Sequence, residues 1–133
     1  MSAHRQQRDT SLADWAGILT PDPGSGGNVA GDTVGVLGLA IGSGSENQMT
    51  LAVPTKLGLT LTVTVQSAGG GSRAMRQAGG TKLNVTGNNT ITFSTVDHSI
   101  QLCSVPYLGA SNASPTKCRW EIVFNDGPTL STT

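Results

Sequence analysis

The sequence predicts an all-β fold, a small β-sandwich or barrel with an extended N-terminal arm. The first observation behind this prediction is the composition: Gly, Ser and Thr are abundant and only 12% of the 133 residues are charged, which favours turns and pleated surfaces over helices. The second is a long segment in which apolar residues alternate with threonines. The third is the chain length, which suits a single domain with one hydrophobic core.

The clearest strand is LGLTLTVTVQ at residues 57–66. Neighbouring residues of a strand point to opposite faces of the sheet. We therefore expect one face of this strand to be buried and the other to form a ladder of threonines that faces water. The apolar residues share one parity and the polar residues share the other: Leu57, Leu59, Leu61, Val63 and Val65 against Thr60, Thr62, Thr64 and Gln66.

Shorter segments predict the other strands of a body that spans residues 31–133. They are TVGVLGLAIG, MTLAV, KLNV, NTITFS, HSIQLCSV and KCRWEIVF. A hairpin turn at residues 87–89 is expected to join KLNV to NTITFS, because Gly and Asn tolerate positive φ. One face of MTLAV would carry Met49, Leu51 and Val53. The core candidates of the last two strands are Leu102 or Cys103, followed by Trp120, Ile122 and Phe124.

Residues 1–30 differ in character from the body and predict the N-terminal arm. A polar start precedes a small apolar cluster, and a stretch rich in proline and glycine follows. The cluster needs a surface to cover: it packs either on the body of its own chain or on another subunit, and both interpretations stay open. The candidate partner-binding residues are Arg5, Arg8, Trp15, Ile18 and Leu19.

The glycine-rich stretch VQSAGGGSRAMRQAGG at residues 65–80 raises the question of phosphate binding. A phosphate-binding loop needs a Lys-Ser or Lys-Thr pair after its last glycine and a helix behind it. This stretch has no such lysine, and a second glycine pair follows too soon for a useful helix. We therefore interpret it as a flexible turn, with Arg73 and Arg76 on an edge that faces solvent or a partner.

The sequence contains no recognisable constellation for catalysis. Asp97, His98 and Ser99 have the residue types of a hydrolase triad, but neighbours in a strand face opposite ways and cannot form a relay. Cys103, Cys118 and the histidines show no metal-ligand spacing. We therefore expect a protein that is not an enzyme and that uses no cofactor or metal.

The two cysteines allow two registers of the last two strands. A simple hairpin places Cys103 opposite Cys118, at a separation that a disulfide can bridge. A shift by one residue aligns Leu102 with Trp120 and Ile100 with Ile122, and it places the thiols on different faces. The hydrophobic pairs and a reducing compartment favour the second register, without a disulfide.

Charge and hydropathy bear on the expected partners. The formal net charge is zero, so the basic surface that a nucleic-acid partner requires is missing. The start of the chain is polar, and no apolar run of membrane-spanning length occurs. We expect no nucleic-acid or membrane partner and synthesis in the cytoplasm. Weak electrostatic repulsion favours an oligomer or an assembled particle.

Two segments resemble the small β-rich decoration or cement proteins of tailed bacteriophage capsids. They are LAVPTKLGLTLTVTV and CRWEIVFNDGPTLS, within residues 49–131. In that family an apolar strand ends at a proline, a turn with glycine leads to a threonine-rich strand, and the chain closes on a tryptophan strand with an Asn-Asp-Gly corner. The matching residues are Pro54, Lys56, Gly58, Trp120, Asn125, Asp126 and Gly127.

The resemblance implies a structural virion protein without catalytic activity. Such proteins bind the major capsid protein on the outside of the head, often as homotrimers, and they are made in the host cytoplasm. The alternative is a tail or fibre module for host attachment, which shares much of the same pattern. A sugar-binding module would stack a sugar ring on an exposed aromatic side chain, and the candidates for this are Trp15, Tyr107 and Trp120.

Overall fold

The computed structural model describes residues 19–106 and 118–133. Within these ranges it contains ten β-strands and one short 3-10 turn at Ala78–Gly80. The strands are β1 (Leu19–Thr20), β2 (Asn28–Val29), β3 (Gly35–Ile41), β4 (Met49–Leu51), β5 (Thr60–Ala68), β6 (Arg73–Gln77), β7 (Thr90–Phe93), β8 (Ser99–Pro106), β9 (Cys118–Asp126) and β10 (Thr129–Ser131).

The strands form a sandwich of two five-stranded mixed sheets, which confirms the predicted all-β fold. Sheet A has the order β1-β3-β5-β8-β9, and sheet B has the order β10-β7-β6-β4-β2. In each sheet three strands run parallel: β1, β3 and β5 in sheet A, and β2, β4 and β6 in sheet B. The remaining pairings are antiparallel.

The core lies between the two sheets. The alternation predicted for β5 is confirmed, since Leu61, Val63 and Val65 are buried. Leu57 and Val53 are exposed, because β5 begins only at Thr60 and β4 already ends at Leu51. The fully buried larger side chains are Leu37, Leu39, Met49, Leu51, Leu61, Met75, Leu83, Ile91, Phe93, Ile100, Leu102 and Trp120.

The described part of the predicted arm, residues 19–30, pairs with both sheets. β1 lies beside β3 of sheet A, and β2 lies beside β4 of sheet B. Val29 belongs to the core. The part of the arm that precedes Leu19 is outside the described residues.

The prediction that residues 73–77 form a flexible turn is wrong. They form β6, the central strand of sheet B, and Arg73 is buried. Arg76 lies half-buried on the other face of the same strand, since Arg73, Met75 and Gln77 share the inward parity. The predicted strand KLNV is instead part of the loop between the 3-10 turn and β7, although Leu83 is fully buried.

The register of β8 and β9 differs from both predicted alignments. Leu102 pairs with Ile122 and Cys103 with Glu121, while Cys118 pairs with Pro106. No disulfide joins the cysteines. The pairing shifts between Gln101 and Leu102, where β9 carries one extra residue.

This bulge explains why one predicted core residue is wrong. Trp120 is buried and Ile122 packs against the core, as predicted. Beyond the bulge the parity of β9 is inverted. Phe124 therefore pairs with the exposed Gln101 and lies on the outer face of sheet A rather than in the core.

Candidate functional site

Three exposed apolar side chains lie along β9 and the loop beside it. Val123 is 54% exposed, Phe124 60% and Val85 90%. We call these three residues the β9 patch. Single exposed apolar residues are common, whereas neighbouring ones indicate a protein-binding surface.

Two hydrogen bonds attach the loop that carries Val85 to β9. Arg119 Nη1 donates to Lys82 O at 3.0 Å, and Ile122 N donates to Leu83 O at 2.8 Å. These bonds hold residues 82 and 83 of the loop beside β9. The tip is a turn held by the side chain of Asn84, whose Oδ1 accepts from the backbone N–H groups of residues 87 and 88 at 2.9 Å. The side chain of Val85 is thus presented by an ordered loop.

The backbone edge of β9 is largely capped. Trp120 N donates to Gln77 Oε1 at 2.6 Å, and Gln77 Nε2 donates to Trp120 O at 3.4 Å. Two residues further along, the loop carbonyl of Leu83 accepts from Ile122 N. An added strand would have to compete with these bonds. At Trp120 and Ile122 the edge of sheet A is therefore not free for an added strand.

The outer face of sheet A connects the β9 patch to the base of the arm. One row of paired residues crosses all five strands, and it consists of Leu19, Val36, Thr62, Gln101 and Phe124. With strands about 4.8 Å apart, this row is roughly 19 Å long. None of the five side chains carries a formal charge, and Leu19 and Phe124 are exposed at its two ends.

A second candidate is an ion cluster at one end of the sandwich. The Arg73 side chain is only 2% exposed and pairs with two carboxylates, on Asp22 and Glu46. Its Nη1 donates to Asp22 Oδ1, and its Nη2 lies 3.1 Å from both carboxylate oxygens of Glu46 and 3.0 Å from Ala40 O. The cluster joins the β1–β2 segment, β3, the β3–β4 loop and β6. We call Asp22, Arg73 and Glu46 the Arg73 clamp.

The two carboxylates of the Arg73 clamp favour their charged forms. Burial alone would raise the pKa of Asp22, but hydrogen bonds from the backbone N–H groups of Ala40 and Gly24 and the Arg73 charge outweigh it and lower that pKa. The Arg73 hydrogen bond, followed by the one from Gly42 N–H, lowers the pKa of Glu46. Both groups are therefore acceptors for Arg73 at neutral pH.

Only one of the five predicted partner-binding residues lies in the described part of the chain. Leu19 is in β1 and its side chain is 57% exposed. Arg5, Arg8, Trp15 and Ile18 lie outside the described residues, so their predicted role stays a prediction. Leu19 lies at one end of the row of paired residues whose other end is Phe124. Phe124 was predicted to lie in the core.

Trp120 does not present a surface for a sugar ring. It is fully buried, and its Nε1 donates to Ala52 O at 3.0 Å. Its indole therefore ties β9 to the end of β4 in sheet B. The other two aromatic candidates, Trp15 and Tyr107, lie outside the described residues.

The residues 97–99 form a turn into β8 rather than a relay. Asp97 adopts a positive φ of 70°, and the His98 ring packs so closely against Gly127 that a Cβ there would lie 2.6 Å from Nε2. Among residues 19–106 and 118–133, no three His, Cys, Asp or Glu side chains come together in a way that could hold a metal.

The sequence analysis missed the β9 patch and the Arg73 clamp. A signal for the clamp existed, because the alternation in RAMRQ places Arg73 on the same parity as Met75 and Gln77. No local pattern identifies Asp22 and Glu46 as its partners, since they precede it by 51 and 27 residues.

Comparison of the chain with protein-family models finds no match, and neither does comparison with curated protein sequences. In the part of the chain that the structure describes, no helix has the length and apolar character needed to cross a membrane.

Proposed function

We propose that this protein is a capsid decoration or cement protein of a tailed bacteriophage. It would bind the major capsid protein on the outside of the head and stabilise the shell as a homo-oligomer, with a trimer favoured. The protein would act by binding alone, without catalysis or a cofactor. The observation that carries this proposal is the β9 patch, in which large apolar side chains are exposed together on a capped strand.

The β9 patch suits a lasting contact with a large protein surface. Burying a side chain the size of Val or Phe contributes about 1.5–3 kcal/mol before the costs of association. One patch of this size gives modest affinity to a single copy. A homo-oligomer presents the patch several times to a symmetric shell, and each further contact then forms at high effective concentration.

The two segments that resemble the cement proteins occupy connected positions in the sandwich. LAVPTKLGLTLTVTV contains the last residue of β4, the buried Pro54 and most of β5, and CRWEIVFNDGPTLS contains β9, the corner and β10. At the corner, Asn125 Nδ2 donates to Pro128 O at 3.0 Å, which fixes the passage from sheet A to sheet B. Val123 and Phe124 of the patch lie within the second segment, directly before this corner.

The N-terminal arm is the second proposed contact with the capsid. Trp15, Ile18 and Leu19 would bury their side chains on a capsid subunit, with Arg5 and Arg8 beside them. A test by truncation should remove residues 1–18 only, because Val29 belongs to the core and Asp22 to the Arg73 clamp.

The experiment measures binding to heads. Heads assembled from the major capsid protein of the same phage, and lacking this protein, are mixed with purified variants and sedimented, and the bound copies are counted. We expect the wild-type protein to saturate the heads. We expect Phe124→Thr and the truncated chain each to raise the protein concentration needed for half occupancy at least tenfold, since loss of one buried aromatic side chain exceeds 1.4 kcal/mol.

Val96→Thr is the matched control, because Val96 is also an exposed apolar residue but lies in the turn before β8. It should bind like the wild type. Failure of the wild-type protein to bind heads, or sedimentation with tails instead, would refute the proposed function. If Phe124→Thr occupied the heads as fully as the wild type at the same protein concentration, the β9 patch would not be part of the contact with the capsid.

A further inference from the structure

We propose that the Arg73 clamp is a latch: when it opens, residues 19–27, including β1, leave the sandwich while the other nine strands stay folded. The latch would control how the base of the N-terminal arm is held. The part of this inference that concerns capsid binding rests on the proposed function, whereas the latch itself does not.

The first argument is that residues 19–27 bury little apolar surface. β1 contributes only two residue pairs to sheet A, and Leu19 is mostly exposed. Pro21 and Pro23 are exposed as well, and the buried core begins only at Val29. A segment with few buried apolar contacts opens at a lower free energy than the strands of the core.

The second argument is that polar bonds hold this segment, and Asp22 of the clamp makes several of them. Asp22 accepts from Gly24 N at 2.8 Å and from Ala40 N at 3.0 Å, in addition to its ion pair with Arg73. The segment also bonds to the β3–β4 loop, through Gly26 N to Asn47 O at 3.0 Å and Asn47 N to Ser25 Oγ at 2.7 Å. That loop is itself attached to Arg73 through Glu46. Opening the clamp therefore loosens both residues 19–27 and the β3–β4 loop to which they bind.

The third argument is the uneven burial of the three charges. The side chains of Asp22 and Glu46 remain 16% and 19% exposed, whereas that of Arg73 is 2% exposed. Water already reaches both carboxylates and can replace their bonds when they move away. Arg73 extends from β6, the centre of sheet B, so its backbone does not need to move with them.

Opening the latch would also uncover a strand edge. β1 covers β3 only at Val36 and Leu37. Further along β3, the edge groups of Ala40 are occupied by the clamp, since its N–H donates to Asp22 and its carbonyl accepts from Arg73. Release of residues 19–27 would expose this edge, which is a surface on which an extended segment of another protein can form a new strand.

Amide hydrogen exchange measured by NMR tests the latch on the full chain, without capsids. The reporters are the N–H groups of Gly26 and Thr50, which donate to Asn47 O and Gly27 O at 3.0 Å, because neither bond involves the side chain that is changed. We expect Asp22→Ala to increase their exchange roughly tenfold or more, the factor expected for loss of a charged hydrogen bond. Exchange at Val63 of β5 and Leu102 of β8 should stay unchanged.

Glu121→Gln is the matched control, because Glu121 also pairs with a buried arginine, Arg119, at 2.9 Å, but on β9. It should leave exchange at Gly26 and Thr50 as in the wild type. If Asp22→Ala does not fold, Asp22→Asn, which keeps one acceptor oxygen, should give the same pattern with a smaller increase.

Two results would overturn the latch. One is unchanged exchange at Gly26 and Thr50 in the folded variant. The other is an equal increase at Val63 and Leu102, which would mean that the clamp stabilises the whole sandwich rather than one segment. Neither result depends on whether the protein binds capsids, so the latch and the proposed function can fail separately.

Discussion

Replacing Gln77 with Met should destabilise the sandwich, and the same replacement at Gln101 should not. Gln77 is a buried residue of β6 whose side chain caps the backbone of Trp120 on the opposite sheet. Gln101 is exposed on the outer face of sheet A. Methionine has a similar length and an apolar character, so the exchange at Gln77 removes the hydrogen bonds with little change in packing volume.

The expected magnitude follows from the two bonds. Trp120 N lies 2.6 Å from Gln77 Oε1, so its loss leaves a buried N–H without an acceptor, at a cost of about 1–3 kcal/mol. The bond from Gln77 Nε2 to Trp120 O is longer, at 3.4 Å, and it adds little because hydrogen bonds weaken with distance. We therefore expect a loss of about 2 kcal/mol at Gln77 and less than about 0.5 kcal/mol at Gln101.

Equilibrium unfolding in urea measures this difference. Gln77→Met should lower the midpoint without a change in the slope, which would show that stability changed and the unfolded state did not, whereas Gln101→Met should leave the midpoint nearly unchanged. The buried indole of Trp120 provides a fluorescence signal for unfolding of the sandwich. Equal stability of the two variants would refute the conclusion that the Gln77 side chain holds the edge of β9.

The remaining predictions concern the core, one glycine and the carboxylates. Leu61→Asp should cost about 4 kcal/mol or more because it places a charge on the buried face of β5, whereas Thr62→Asp on the outer face should cost far less; equal losses in thermal melting would contradict this assignment of faces. Gly71→Ala should lower the melting temperature by the equivalent of about 1–3 kcal/mol. The reason is that the added Cβ would lie 2.6 and 2.8 Å from backbone atoms of the β3–β4 loop. An unchanged melting temperature would contradict that packing. Acid should also weaken the fold: the pKa values of Asp22 and Glu46 are lowered from 3.8 and 4.5, so their contribution is present above those ordinary values and is lost as the pH falls through the lower folded values. A urea midpoint that does not change between neutral pH and about pH 3 would contradict this last prediction.

The alternation of β5 was enough to predict the fold class from sequence. Which residues of β5 are buried and which are half-exposed depends only on the residue types within the strand. The same holds for the buried Met49 and Leu51 of β4. Trp120 was also predicted as a core residue for this reason. Local pattern carries such information because the period of a strand is a property of its own backbone.

The failure at Phe124 has a non-local cause. Its parity depends on the bulge opposite Gln101, and a bulge is a property of the pairing between β8 and β9 rather than of either sequence. One extra residue inverts every later side chain of the strand. The sequence of β9 alone therefore could not predict the exposed β9 patch. The proposed function depends on this patch.

The failure at residues 73–77 has a different cause. Glycines on both sides and two arginines indicated a solvated turn, whereas the alternation of buried Arg73, Met75 and Gln77 fits a strand. The prediction of a turn followed the residue types of this stretch rather than the alternation along residues 73–77. A buried arginine becomes acceptable only when its partners are known, and Asp22 and Glu46 come from distant parts of the chain.

Strand β6 connects the proposed latch and the cap on β9, because one strand of sheet B holds two separate edges of sheet A. At one end, Arg73 donates to Ala40 O of β3 at 3.0 Å. At the other end, Gln77 binds both backbone groups of Trp120 in β9. The two residues are four positions apart, so about 13 Å separates their backbones. Since both side chains point into the sandwich, they protect the edges without adding charge to the outer faces. This leaves the outer face of sheet A free of formal charge along the row from Leu19 to Phe124, which joins the two proposed contacts with the capsid.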